Sequence, residues 1–149
     1  MKELEFEEDE YVILSQDKMF PDSILPLKTD EAILTNMNFI YIYKNLFGSI
    51  EDIKYIPLKD IQIRKKEACV SFCKKHGMLY MQLSLIKSNF LFGIDYTGDM
   101  FEWKYAIKNV ALASSEDKRV TRCDSCGAIN SGYEDQIITC KFCQNQIKI

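Results

Sequence analysis

The chain has 149 residues, of which 47% are hydrophobic and 28% are charged, with a net charge of −3. This length fits one domain, or one domain with a small appended module, and the hydrophobic content excludes a wholly disordered chain. The slightly acidic balance disfavours a general nucleic-acid binder, because such proteins usually carry an excess of basic residues.

The first ten residues, MKELEFEEDE, are acidic and lack the apolar core and small-residue cleavage site of a signal peptide. Apolar stretches such as FIYIY are too short to span a bilayer, which needs roughly 20 apolar residues. We therefore expect a soluble, cytoplasmic protein. In that compartment paired cysteines bind metal or carry out redox chemistry more often than they form disulfides.

The chain divides into a predicted domain at residues 1–117 and a cysteine-containing module at residues 118–149. Residues 1–30 are interpreted as an acidic N-terminal extension of the domain. They contain one apolar patch, YVIL, and are interrupted by Pro21 and Pro26. This pattern favours a short helix or edge strand followed by a loop.

From Glu31 onward, short apolar or alternating segments recur at a spacing of roughly ten residues, which is typical of a barrel or sandwich. Seven β-strands are predicted: EAILTNM (31–37), NFIYIYK (38–44), IKYIPL (53–58), IQIRKK (61–66), ACVSFC (68–73), MLYMQLSLI (78–86) and FLFGIDY (90–96). Asn36 and Asn38 mark a tight turn between the first two.

One amphipathic helix follows the predicted strands. After TGD (97–99), Asp99 is a candidate N-cap and Glu102 stands at the capping-box spacing. The helix MFEWKYAIKNVALAS is expected to lay one apolar face on the sheet, formed by Met100, Trp103, Ile107, Val110 and Ala111. The polar stretch ASSEDKRVTR (113–122) is interpreted as a linker to the cysteine module.

Four cysteines near the C-terminus form the pattern Cys-x2-Cys-x13-Cys-x2-Cys: Cys123, Cys126, Cys140 and Cys143. Two such turns can place four sulfurs around one tetrahedral Zn2+, leaving no open coordination position. A single structural zinc ion would supply the folding free energy that a thirty-residue segment cannot obtain from a core of its own. Two disulfides, or a redox-active cysteine pair, are the alternatives.

The tail, residues 120–149, resembles a zinc ribbon. Cys126-Gly127 matches the Cys-x-x-Cys-Gly turn of that family, whereas Gln144 replaces the glycine of the second turn. Glycine is favoured there because the backbone adopts a positive φ. The resemblance implies a structural metal site but does not specify a partner.

Residues 31–115 resemble the bacterial pleckstrin-homology-like families. The resemblance rests on EAILTNMNFIYIYKNLFG, IKYIPLKDI and the helix segment EWKYAI, in which Trp103 corresponds to the helix tryptophan that closes one end of the barrel. It implies a mainly β fold: a seven-stranded barrel or sandwich capped by a C-terminal α-helix. Lipid-binding members carry Lys and Arg around the first strand–strand loop, but Asn36-Met37-Asn38 contains neither.

Two groups of basic residues flank the predicted strand 68–73. Arg64, Lys65 and Lys66 precede it, and Lys74 and Lys75 follow it beside His76. The groups should lie about 20 Å apart at the rise of a strand, which is too far for one anion pocket. We interpret them as solvated turns, His76 as a solvated turn residue, and Cys69 and Cys73 as partly buried.

No pattern indicates a nucleophile with its base, a phosphate-binding loop or an open metal site, so we expect a protein without enzymatic activity. The leading hypothesis is an adaptor that contacts a protein partner or itself through the domain at residues 1–117 and the ribbon. A nucleic-acid-associated factor is the first alternative, using the only cations of the tail: Arg119, Arg122, Lys141 and Lys148. Peripheral membrane association through the basic turns is the second alternative.

Overall fold

A computed structural model describes residues 3–24, 26–95 and 99–149 of the chain. The first four strands form an antiparallel meander: β1 (Val12–Pro21), β2 (Asp30–Thr35), β3 (Asn38–Lys44) and β4 (Ile50–Pro57). The predicted tight turn between β2 and β3 is confirmed. The Thr35 hydroxyl stabilises it by accepting the backbone N–H groups of Met37 and Asn38, at 3.1 and 2.9 Å.

A 3-10 turn, a small hairpin, three strands and one helix follow the meander. Their bounds are Leu58–Asp60 for the 3-10 turn, then β5 (Ile63–Arg64), β6 (Glu67–Ala68), β7 (Val70–Lys75), β8 (Met78–Ser84), β9 (Asn89–Ile94) and α1 (Asp99–Ser115). The seven long strands form one sheet in the order β4-β3-β2-β1-β9-β8-β7. We call this sheet together with α1 the β domain.

The N-terminal part of the chain supplies the central strand of this sheet. β1 pairs with β2 on one side and with β9 on the other, where Met19 faces Ile94. The predicted extension with a short helix or edge strand is therefore wrong for Val12–Pro21. The sequence of this strand does not show a clear alternation of apolar and polar residues, because polar residues interrupt the apolar ones and the register is irregular at two places.

The predicted strand at residues 61–66 is the second correction. Ile61 makes only an isolated bridge to Leu85, and the one strand in this segment, Ile63–Arg64, pairs with Glu67–Ala68 in a small separate hairpin. The two residues between them, Lys65 and Lys66, have positive φ angles of 52° and 62°. A two-residue hairpin turn needs positive φ at both positions, so the chain reverses where the alternating pattern predicted continuation.

The core lies between the sheet and α1, as predicted. All five residues of the expected helix face are buried: Met100, Trp103, Ile107, Val110 and Ala111. The Trp103 indole is fully buried beside Phe39 and donates its N–H to Gln16 Oε1 at 2.8 Å. Asp99 is the first residue of the helix rather than its N-cap, and its carboxylate accepts the Gln16 amide. Residues 96–98 lie outside the described residues.

Two small hairpins form the C-terminal cysteine module, residues 119–149. β10 (Arg119–Arg122) pairs with β11 (Ile129–Gly132), and β12 (Ile137–Thr139) pairs with β13 (Gln146–Lys148). The predicted linker at 113–122 is therefore wrong, because its first residues end α1 and its last four form β10. Within the described part of the chain, no helix is long and apolar enough to cross a bilayer.

Candidate metal centre and its surroundings

The four C-terminal cysteines converge on one point. The thiol sulfurs of Cys123, Cys126, Cys140 and Cys143 all lie within 4.8 Å of one another. The sulfurs of Cys123 and Cys143 are 3.4 Å apart, and those of Cys126 and Cys140 are 3.6 Å apart. A tetrahedral ion with metal–sulfur bonds of about 2.3 Å needs sulfurs about 3.8 Å apart, so this group can hold one metal ion.

The two cysteine turns have the same backbone construction. In the first turn the amide of Gly127 donates to the carbonyl of Cys123 at 2.8 Å, and in the second the amide of Gln144 donates to Cys140 at 3.0 Å. Gly127 has a φ of 75° and Gln144 a φ of 65°. Glutamine therefore adopts the left-handed conformation that the ribbon pattern assigns to glycine, and the second turn keeps the geometry of the first.

Backbone amides favour the thiolate form of the first cysteine in each turn. Hydrogen bonds from the amides of Cys126 and Ser125 lower the pKa of Cys123, although burial opposes the shift. The amides of Cys143 and Phe142 act in the same way on Cys140 and lower its pKa to about 6. Since only thiolates bind the ion, these amides prepare the site for a cation.

Asn130 is a buried polar residue that supports the site and that the cysteine spacing did not reveal. Its Nδ2 lies 3.4 Å from the sulfur of Cys140, while its Oδ1 accepts the backbone N–H of Lys141. The side chain thus connects β11 to the second cysteine turn. Such outer hydrogen bonds orient metal ligands in known sites.

The cysteine module is packed against the β domain. Val120 and Ile129 of the module are buried in the same hydrophobic cluster as Ile13 of β1. The Tyr11 hydroxyl donates to the carbonyl of Val120. Arg122 donates to the carbonyl of Ile13 and, at 3.0 Å, to that of Gly127 in the first cysteine turn. The metal site and the central strand of the sheet are therefore joined through one side chain.

An open cleft of about 880 Å³ lies where the N-terminal segment approaches β10. Asp9 and Glu10 lie among the residues lining one side, and Lys118 and Arg119 among those lining the other. Two of the three cations that line the cleft are already paired, Lys118 with Glu116 at 2.8 Å and Arg119 with a glutamate of the module at 3.1 Å. The cleft therefore has no strong charge of one sign.

The two predicted basic groups lie before and after β7, at separate turns. Arg64 donates to Gln62 at 2.8 Å, and Lys65 and Lys66 form the exposed turn between β5 and β6. Lys74 and Lys75 are exposed at the end of β7. The structure does not bring these groups into one pocket. Cys69 and Cys73 are both partly buried, as predicted.

His76 gains a neighbour that its sequence surroundings did not show. Its Nε2 lies 3.2 Å from one carboxylate oxygen of Asp22, and Lys75 Nζ lies 2.8 Å from the other. The hydrogen bond from Lys75 is the largest cause of the lowered pKa of Asp22. Among the described residues no hydroxyl or thiol is hydrogen-bonded to the imidazole. The contacts of Lys75 and His76 with Asp22 connect the β7–β8 turn to the β1–β2 loop.

Comparison with solved structures supports the fold. The Vps36 N-terminal PH domain matches this chain with a TM-score of 0.53 and 15% sequence identity, covering 75% of this chain and 86% of that one. At this identity the likeness shows the fold alone. No protein-family model and no curated protein matches the chain. The chain thus has a mainly β, pleckstrin-homology-like fold with a four-cysteine cluster that can hold a metal ion.

Proposed function

We propose that this chain is a non-enzymatic, cytoplasmic adaptor that binds a protein partner through one surface formed jointly by the pleckstrin-homology-like domain and a zinc ribbon. The proposal rests chiefly on the packing of the cysteine module against β1 and α1. Val120 and Ile129 complete the hydrophobic cluster of the β domain, and Arg122 donates to carbonyls on both sides of the junction. A module attached in this way extends the surface of the domain.

One Zn2+ is the ion that best fits the four cysteines. Four thiolates are soft ligands, and a set of four cysteines is a common ligand set of structural zinc. Bound there, the ion supplies folding free energy to the module. Cys123, Cys126, Cys140 and Cys143 would hold it, and Asn130 would orient the Cys140 sulfur.

The nucleic-acid alternative receives less support from the arrangement of the cations. Arg119 is paired with Glu134, and Arg122 is engaged with two backbone carbonyls. Of the tail cations, Lys141 and Lys148 alone lack such a contact among the described residues. A phosphate-driven complex normally needs several lysines or arginines in contact with the backbone.

The membrane alternative depends on the basic turns. Lys75 is paired with Asp22 and Arg64 with a glutamine, which leaves Lys65 and Lys66 at one turn and Lys74 at the other as the exposed cations without such a contact among the described residues. Stable attachment to anionic lipid usually requires a larger basic cluster, with about 1 kcal/mol contributed by each cation. We therefore rank a protein partner first.

Affinity capture with the immobilised, zinc-loaded full chain tests the proposed function. Lysate is treated with nuclease before capture, and elution is followed across a salt series. We expect a defined protein to remain bound after nuclease treatment and at salt concentrations that dissociate phosphate contacts. Recovery of nucleic acid alone, or sedimentation with anionic vesicles but not neutral ones, would replace the adaptor proposal with one of the alternatives.

A further inference from the structure

Four aromatic side chains form a row across three elements: Phe72 of β7, Phe101 and Tyr105 of α1, and Phe142 of the second cysteine turn. The rings of Phe72 and Phe101 are 5.4 Å apart, and those of Tyr105 and Phe142 are 5.6 Å apart. Phe101 and Tyr105 are four residues apart on one helix, which places them side by side. We call these four residues the aromatic stripe.

Three of the four rings of the stripe face solvent, and Phe72 is partly buried against the core. The exposed fractions are 68% for Phe101, 40% for Tyr105 and 58% for Phe142. A single exposed aromatic residue is ordinary, but a row contributed by separate elements marks an interaction site. Phenylalanine and tyrosine are also enriched at the centres of protein interfaces. The opposite face of α1 is buried in the core, so the stripe lies on the face that the helix presents outward.

Unpaired lysines accompany the stripe. Lys104 Nζ lies 4.7 Å from the centre of the Phe72 ring, and Lys141 directly precedes Phe142 in the second cysteine turn. Neither has a carboxylate partner among the described residues, whereas Lys108 on the same helix is 3.8 Å from Glu67. Lys104 and Lys141 therefore offer two cations to a ligand, although the chain as a whole is acidic.

A small pocket of about 160 Å³ adjoins the stripe at Tyr105. Its walls include Leu14 and Ile129, which come from the β domain and the cysteine module. Glu102 and Arg122 contribute polar groups to the same lining. The volume is suited to one apolar side chain, and an apolar anchor in such a pocket commonly dominates the energy of a protein contact.

We propose that the aromatic stripe binds an acidic peptide segment of a partner protein that inserts an apolar side chain beside Tyr105. This inference rests on the proposed adaptor function and specifies its partner. The peptide carboxylates would meet Lys104 and Lys141, and its apolar groups would cover Phe101 and Phe142.

Geometry favours a peptide over single-stranded nucleic acid at this site. The ring pairs meet at 82° and 77°, edge to face, so they do not provide a series of parallel surfaces for stacked bases. Two unpaired lysines are few for a phosphate backbone, which carries a charge at every nucleotide, but they are enough to meet one or two carboxylates of a peptide.

Binding at the stripe should also depend on the metal. Phe142 lies between the candidate metal ligands Cys140 and Cys143 in the second cysteine turn. An ion bound by these cysteines would therefore fix the position of this ring relative to Tyr105. Removing the ion would separate the last member of the stripe from the others.

The experiment is selection of random short peptides displayed on phage against the zinc-loaded full chain, followed by affinity measurement for the enriched peptides. We expect enrichment of acidic sequences that contain aromatic or aliphatic residues. Phe101→Ala and Lys104→Glu should each weaken binding at least about tenfold, as substitutions at an interface centre do. Phe47→Ala, which alters a residue that is 92% exposed in the β3–β4 turn, is the matched control and should leave affinity unchanged.

Zinc content and thermal unfolding of each variant verify that it is folded. Lys104→Glu keeps all four rings, so it tests the stripe even if an aromatic substitution disturbs the fold. Enrichment of basic peptides, no enrichment, or binding unaffected by both substitutions would overturn the proposal. Tighter binding of a labelled polyuridine strand than of any peptide, lost in Lys104→Glu, would assign the stripe to nucleic acid.

Affinity capture with the same variants separates this inference from the proposed function. If Phe101→Ala and Lys104→Glu still capture the protein that the unmodified chain captures, the adaptor function stands and the stripe is not its binding site. If the unmodified chain captures no protein, the adaptor function itself fails.

Discussion

Gly127 and Gln144 occupy equivalent positions in the two cysteine turns, and both have a positive φ, 75° and 65° respectively. Each donates its amide to the carbonyl of the first cysteine of its turn. The two turns are thus built alike from different residues. For glutamine this conformation is strained, because its Cβ crowds the following carbonyl.

We expect Gln144→Gly to stabilise the metal-loaded chain by about 1 kcal/mol, since glycine adopts this φ without strain. The free energy of unfolding, measured by urea denaturation, tests this expectation. Gly127→Ala is the matched control and should destabilise, although open space surrounds that position. A loss of stability in Gln144→Gly would show that the glutamine side chain contributes more than its backbone strain costs.

Trp103→Ala should destabilise the chain by about 3–5 kcal/mol, because it removes a fully buried ring from the centre of the core. It also leaves the carbonyl oxygen of Gln16 without its donor. Chemical denaturation followed by circular dichroism measures the change. Phe101→Ala, on the exposed face of the same helix, should stay within about 0.5 kcal/mol. Similar losses in both variants would contradict the assigned packing face.

Metal removal should weaken the β domain as well as the cysteine module. Val120 and Ile129 belong to the main core, and burying a side chain of this size contributes about 1.5–3 kcal/mol. We expect Cys140→Ser to lower the unfolding midpoint reported by Trp103 fluorescence. Cys73→Ser, at a thiol outside the metal centre, should have little effect. An unchanged midpoint in Cys140→Ser would mean that the β domain is stable without the module.

We expect the stability of the chain to depend on pH through the buried carboxyl of Asp30. Burial raises the pKa of this carboxyl above its ordinary value of 3.8, although the hydrogen bonds from Lys44 and Tyr41 oppose the shift. Because the pKa is higher in the folded state, the stabilising contribution of Asp30 is complete below the pKa of the unfolded state. It is lost as pH rises through the pKa of the folded state. Asp30→Asn should therefore gain stability relative to the unmodified chain as pH rises.

Urea denaturation at a series of pH values tests the Asp30 prediction. Asp22→Asn is the control of opposite sign, because the hydrogen bond from Lys75 lowers the pKa of Asp22. The stabilising contribution of Asp22 is present above the pKa of the unfolded state. It is lost as pH falls through the pKa of the folded state. If Asp30→Asn and the unmodified chain differ by a constant amount at every pH, the carboxyl does not titrate as its burial implies.

Local patterns in the sequence were sufficient for the elements whose partners are close along the chain. The strand at Asn38–Lys44 has the predicted bounds, and the apolar face of α1 is buried as expected. The cysteine spacing identified a group that can hold a metal ion, because each turn is complete within a few residues. Alternation failed at Val12–Pro21, where polar residues and register irregularities concealed the strand.

The sequence by itself determined a β-rich domain, its closing helix and a four-thiolate cluster, since periodicity and spacing over a few residues specify each of them. Only the tertiary structure decided that β1 is the central strand, that Arg122 joins the metal site to that strand, and that Phe142 meets Tyr105. These relationships join residues far apart in the chain, and they form only when separate elements bury their apolar faces together.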